Sequence, residues 1–183
     1  YSTANDLLRW MQWHLETGGS DAEVRLLDHA VYVQRDGMET VLSMDESGRM
    51  DAMGLGWVAM APTAERPFIL QKAGGMQGQL SYLAFAPEHG TAVFVSINQY
   101  DFAGAVATTE FANAFLAELS QQLAVSVDLA RTLRESAAYV ARYLRAEAVS
   151  VFLVSDDGQA LECRACQGPV DILGLRIPVG KGI

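Results

Sequence analysis

Apolar positions along this chain change their period twice, and each change predicts a different kind of element. Leu7, Leu8, Met11 and Leu15 recur at helical spacing behind Ser2 and Thr3, which are good N-cap residues. Asp6 falls in the first turn, where an acid is favoured, and Gly18-Gly19 closes the helix. Ser20 and Asp21 open a second predicted helix with Val24, Leu27 and Val31 on one face. Residues 35–53 mix Gly, Asp, Ser and Met and read as loop, with a short strand around 40–43.

From Gly54 the pattern turns to strands. Residues 54–60 form one candidate, ended by Pro62, and 68–72 form another, stopped by Gly74-Gly75. Residues 80–86 and 91–98 flank Pro87-Glu88-His89-Gly90, a turn with clear breaker chemistry. Such short connections predict three or four consecutive antiparallel strands.

Between Gly104 and Gly158 there is neither Gly nor Pro. Phe111, Phe115, Leu119 and Leu123 give one helical stripe, and Leu129, Leu133, Val140 and Leu144 give another. One unbroken helix over 105–147 would reach ~65 Å, so a break is expected near 124–126, where Ser126 and Asp128 can cap a fresh start. Residues 149–154 and 161–166 then read as two strands joined by the hairpin signal Asp156-Asp157-Gly158.

Composition divides the chain at about the same place. Residues 1–122 hold six bases against fifteen acids, whereas 123–183 hold seven of each. All seven Met and all three Trp lie in the first part, and both Cys in the second. Two segments of different origin leave such a change, as does one domain with an uneven surface. The net charge of −9 argues against a nucleic-acid partner, which requires clustered Lys and Arg. No apolar run approaches the ~20 residues of a membrane span. A start at Tyr1 rather than Met suggests an excised or processed segment.

Candidate chemistry concentrates in Gln71-Lys72-Ala73-Gly74-Gly75, followed by Gly78, Ser81-Tyr82, Phe85 and Pro87-Glu88. Taken alone, Lys72 is more simply a solvated strand lysine. Lys72-Ala73-Gly74 nevertheless resembles the Lys-Thr-Gly motif of penicillin-recognising serine hydrolases. Its surroundings resemble the C-terminal third of class C β-lactamases and D-alanyl-D-alanine carboxypeptidase/endopeptidases. Ser2-Thr3-Ala4-Asn5-Asp6-Leu7, Gly54-Leu55-Gly56-Trp57, Ser81 to Pro87 and Ser96-Ile97-Asn98 match in order and spacing over about residues 1–120.

That resemblance implies roles. Lys72 supplies a fixed positive charge that attracts a substrate carboxylate, and the Gly75 N–H falls where the family donates into an oxyanion hole. Both are vestigial catalytic groups here, with Ala73 and Gly74 as the substrate-binding positions. Ala73 lacks the hydroxyl of the family's Thr. The chain also contains no Ser-x-x-Lys and no Tyr-x-Asn, so the attacking group would lie upstream of Tyr1.

Residues 124–183, with the helix 126–147 and the two strands after it, resemble the N-terminal half of a GAF domain, a small-molecule sensory module. Cys163 and Cys166 form a C-x-x-C, but on a regular strand residues three apart face opposite ways, so a redox or zinc pair is not expected. His14, His29 and His89 show no metal-ligand spacing, and Trp10, Trp13 and Trp57 read as core. Gly180-Lys181-Gly182 lacks the pattern of a phosphate loop.

The expected architecture is α+β. An antiparallel sheet flanked by helices (1–122, β-lactamase-like) is joined by helix to a partial GAF-like α/β unit (123–183). Three functions follow: a serine-hydrolase relic contacting β-lactam or peptidoglycan-peptide carboxylates, a sensory ligand-binding module, or a chimeric structural protein without activity. No cofactor or metal is expected. Exposed sheet edges imply a homo-oligomer. The hydrolase part suggests the periplasm and the GAF part the cytoplasm.

Overall fold

The computed structural model describes residues 3–41, 45, 48–76, 78–98, 102–125, 128–144, 147–155 and 159–178. The chain divides into two compact units, Tyr1–Gln121 and Gln122–Ile183.

The first unit opens with α1 (Ala4–Leu15), and its start follows from a capping box. Thr3 Oγ1 accepts from the Asp6 N–H at 3.2 Å, and Asp6 Oδ2 accepts from the Thr3 N–H at 2.8 Å. Helix α2 (Ala22–His29) follows, but of its predicted apolar face only Val31 packs against the core. Val24 and Leu27 are more than half exposed, Val31 lies past the helix end, and the buried residue is Arg25. That guanidinium is satisfied locally. It donates to Glu16 Oε2 and to the Gly18 carbonyl, and it lies over the Trp13 ring.

Six strands then form one sheet in sequence order: β1 (Val33–Gln34), β2 (Ala52–Met53), β3 (Val58–Met60), β4 (Ile69–Met76), β5 (Gln79–Ala86) and β6 (Thr91–Ile97). Every pairing is antiparallel. Three expectations need correction. Residues 54–57 are the turn between β2 and β3 rather than strand, with the Gly54 N–H bonded to Trp57 O at 2.8 Å. A Cβ at Gly54 would sit 2.8 Å from the Ala30 carbonyl, so the backbone approach there requires glycine. Conversely, β4 runs straight through Gly74 and Gly75. The predicted strand at 40–43 is absent at Thr40 and Val41, and residues 42 and 43 lie outside the described residues.

Both faces of this sheet are covered, which explains why β5 reads as a nearly continuous apolar run. Leu70, Leu83 and Phe85 pack with Met11 of α1 and with Trp57. Their neighbours Ile69, Tyr82 and Ala84 pack on the opposite side with Ala112 and Leu116 of α3 (Phe102–Val125). The α3 face against the sheet is therefore not the predicted Phe/Leu stripe alone. Thr108, Thr109, Ala112, Asn113, Leu116 and Ser120 are buried with Phe111, and small residues let the helix approach the sheet closely.

In the second unit, α4 (Leu129–Leu144) covers an antiparallel sheet of β7 (Val149–Val154), β8 (Ala160–Gln167) and β9 (Arg176–Pro178). Leu133, Ala137 and Ala165 are its buried centre, with Val149, Val151 and Leu153 against them. The predicted break between helices falls between α3 and α4, and Asp128 Oδ1 accepts from the Arg131 N–H at 3.0 Å, as an N-cap does. The turn at 156–158 lies outside the described residues.

Candidate active-site strand

Strand β4 changes character at Gln71. Ile69, Leu70 and Gln71 are buried and pair with Met60, Ala59 and Val58 of β3, and Leu70 and Gln71 pair on their other side with Phe85 and Ala84 of β5. From Lys72 to Met76 only the β5 partners continue: Leu83, Tyr82, Ser81, Leu80 and Gln79. Among the described residues no strand pairs with the other edge of that stretch. An open antiparallel edge presents alternate N–H and C=O groups to whatever lies beside it, which is how an extended ligand adds to a sheet.

The four predicted site residues fall on this open stretch. Lys72, Gly74 and Gly75 are exposed and Ala73 is half-buried. Alternation puts Lys72 and Gly74 on the face of Leu70, while Ala73 shares the other face and packs against the cluster that includes Tyr82 and Leu116. No carboxylate pairs with Lys72 among the described residues. A Cβ built at Gly74 would meet nothing within 4 Å, so packing inside this unit does not demand glycine there.

Immediately before Lys72, the Gln71 side chain is fully buried, and neither Oε1 nor Nε2 has a hydrogen-bond partner among the described residues. On the neighbouring strands, Gln79 Nε2 donates to Ser96 Oγ at 3.1 Å, and the Ser81 and Ser96 hydroxyls lie 3.4 Å apart.

The fold also brings together residues that sequence spacing kept apart. His14, in the last turn of α1, places Nδ1 2.9 Å from His29 Nε2 at the end of α2. Asp28 Oδ2 lies 3.6 Å from the same His14 nitrogen and accepts from Trp57 Nε1 at 2.7 Å. The rings of Trp10, Trp13, Trp57 and Phe85 surround His14, which is 2% exposed. Burial pushes the His14 imidazole down to about 4, with His29 and Arg25 adding to the effect and Asp28 opposing it. His29 is lowered for the same first reason. Among these residues only the mixed Trp and His content of α1 hinted at a cluster. His89 stands apart on an exposed turn.

The cysteines need a correction as well. Val151 pairs with Ala165 but Phe152 pairs with Cys163, so Arg164 is an extra residue in β8. Cross-strand partners share a face, and Cys166 pairs with Ser150. The bulge therefore puts Cys163 and Cys166 on the same face, opposite Ala165, instead of letting them diverge. Cys163 is buried and Cys166 half-buried, with its sulfur 3.2 Å from Asp171 Oδ1. Burial raises the Cys163 thiol above its ordinary range.

Comparison with known proteins bears on the first unit. Residues 1–118 match the beta-lactamase family model. The D-alanyl-D-alanine-carboxypeptidase/endopeptidase AmpH of Escherichia coli K12 is 39% identical over 101 residues, covering 54% of this chain and 26% of that protein. Its counterpart in Escherichia coli O157:H7 gives the same figures. A solved beta-lactamase/D-alanine carboxypeptidase from Yersinia pestis, complexed with citrate, aligns with a TM-score of 0.54 and 35% identity, over 64% of this chain and 34% of that one. The chain thus spans about a quarter of the length of the curated relatives. Since the family match covers most of its residues, including the whole six-stranded sheet with its open β4 edge, this chain belongs to the beta-lactamase family.

Proposed function

We propose that residues 1–122 are the C-terminal segment of a penicillin-recognising serine hydrolase of the β-lactamase and D-alanyl-D-alanine carboxypeptidase type. Residues 123–183 are a partial GAF-like segment fused to it, and this chain does not complete catalysis alone. The observation that carries the reading is the one-sided pairing of β4 from Lys72 to Met76.

On that edge Lys72 attracts the carboxylate of a β-lactam or a peptidoglycan peptide, and the Gly75 N–H is the donor for a developing oxyanion. Gly74 keeps the strand face clear beside Lys72. Ala73 carries no hydroxyl, and packing against the cluster around Tyr82 limits it to backbone contact. Acyl transfer further needs an activated serine, and this sequence holds no Ser-x-x-Lys.

The reading is tested with a chromogenic β-lactam on the chain as it stands. Intact mass after incubation is expected to show no acyl adduct, and hydrolysis no burst, with any background rate unchanged in Lys72→Ala. The amide signals of 72–76 are expected to shift saturably in the same titration. A stoichiometric serine adduct lost in Lys72→Ala would overturn the catalytic silence. Unmoved amides would overturn the substrate edge. The same open edge supports self-association, for which sedimentation over the micromolar range is the test.

A further inference from the structure

We propose that His14, Asp28 and His29 bind one divalent transition-metal ion of the zinc class, holding the C-terminal ends of α1 and α2 together. The three ligand atoms all lie within 4.8 Å of one another. Zinc bonded at 2.0–2.1 Å in tetrahedral geometry spaces its ligand atoms by about 3.3 Å. His14 Nδ1 and His29 Nε2 stand slightly inside that spacing at 2.9 Å, and His14 Nδ1 and Asp28 Oδ2 slightly outside it at 3.6 Å. The third pair, His29 and Asp28, lies within 4.8 Å, and rotation of these two half-buried side chains would bring it to the same spacing.

The donor set selects the ion. Two imidazole nitrogens and one carboxylate oxygen suit zinc and its neighbours, whereas calcium and magnesium want oxygen shells. The surroundings orient the ligands. Trp57 Nε1 donates to Asp28 Oδ2 at 2.7 Å, an outer contact that fixes the carboxylate. His14 is held among four aromatic rings, two of them within 5 Å on its own helix. Both histidines occupy the last turn of a helix, where unpaired carbonyls carry partial negative charge that favours a cation. The opposing charge is Arg25, and Glu16 Oε2 lies 3.4 Å from it.

The site gives α2 a purpose that its apolar residues do not. Val24, Leu26 and Leu27 are all exposed, so hydrophobic burial anchors this helix poorly. Asp28 and His29 are only partly buried, which leaves the ion a route in from solvent.

The experiment titrates zinc chloride into the untagged, metal-stripped chain, with calorimetry for stoichiometry and a melting curve for linkage. One zinc per chain and a melting temperature that rises with zinc concentration are expected. His29→Gln, at a half-buried position, is expected to weaken binding at least a hundredfold, and Trp57→Phe about tenfold. Cobalt in place of zinc is expected to give a visible spectrum of four-coordinate type that His29→Gln abolishes. Near-ultraviolet circular dichroism of His29→Gln without metal checks that the fold is intact. Absence of saturable binding, or binding of equal strength in a folded His29→Gln, would overturn the site in favour of a direct imidazole–imidazole hydrogen bond.

Discussion

Tyr82 donates its hydroxyl to Asn113 Oδ1 across 2.6 Å, tying strand β5 to helix α3 inside the core. Tyr82 is fully buried and Asn113 nearly so. Burial raises the phenol well above its ordinary range, so it stays protonated and remains a donor at any working pH. Thr91 and Ser120 make a second such tie at 2.7 Å, between β6 and the same helix. Polar ties of this kind fix which turn of a helix faces which strand, where small apolar residues alone would tolerate sliding. Tyr82→Phe keeps the ring and removes the bond. It is expected to destabilise the first unit by about 1–2 kcal/mol, read as a lower urea midpoint. An unchanged midpoint would show that the bond contributes nothing net.

Gln71 is the converse case. Its amide is fully buried within β4, with neither polar atom partnered among the described residues. Leaving an amide so placed costs about 1–3 kcal/mol relative to an apolar group of the same shape. Gln71→Met is therefore expected to raise the urea midpoint of this chain. A fall in the midpoint would mean that the amide is satisfied in solution.

How much of this was legible from residues follows from the range of the interactions. The N-cap of α1, the β5–β6 hairpin and the halt between α3 and α4 depend on neighbours within a few positions, and all three are legible in the sequence, whereas the reciprocal bond from Asp6 back to Thr3 is seen only in the structure. The β4 extension was missed because Gly74-Gly75 signals a stop locally, while pairing with Ser81 and Leu80 overrides it. Arg25 was missed because helical periodicity marks apolar faces and cannot see a guanidinium satisfied by Glu16 and a carbonyl. The His14 and His29 meeting needs two helix ends to converge across fifteen residues, which no local spacing encodes. Among the candidate site residues, Lys72 and Gly74 could be named from resemblance. Their open edge could not, since it depends on where β3 begins and ends.

The bulge in β8 gives the two cysteines a common face but unequal access. Cys163 is 1% exposed, and burial raises its thiol, so little thiolate is present near neutral pH. Cys166 is partly exposed beside Asp171. Under mild conditions iodoacetamide is expected to label Cys166 first, with Cys163 following only when the second unit opens. Peptide mapping over time distinguishes them, and equal rates would contradict the buried position of Cys163.

The final prediction concerns pH and rests on the sign of the histidine shifts. His14 is lowered from an ordinary value of 6.5 to about 4, chiefly by burial, and His29 is lowered too. Above about pH 6.5 both folded and unfolded chains carry neutral imidazoles, and the groups contribute no pH dependence. Between 6.5 and about 4 the unfolded chain takes up protons that the folded chain refuses, so stability falls as pH falls. For His14 that shift corresponds to about 3 kcal/mol as an upper value, since each unit is worth about 1.4 kcal/mol. Carboxylates act in a lower window. Asp45, held down to about 2 by Arg35, loses its contribution only as pH drops from 3.8 towards that value. The urea midpoint of the first unit is thus expected to fall steadily between about pH 7 and pH 4.5, before the carboxylates titrate. His29→Gln should flatten part of that slope. A midpoint that stays constant across this interval would mean that His14 is hydrated and titrates normally in the folded protein.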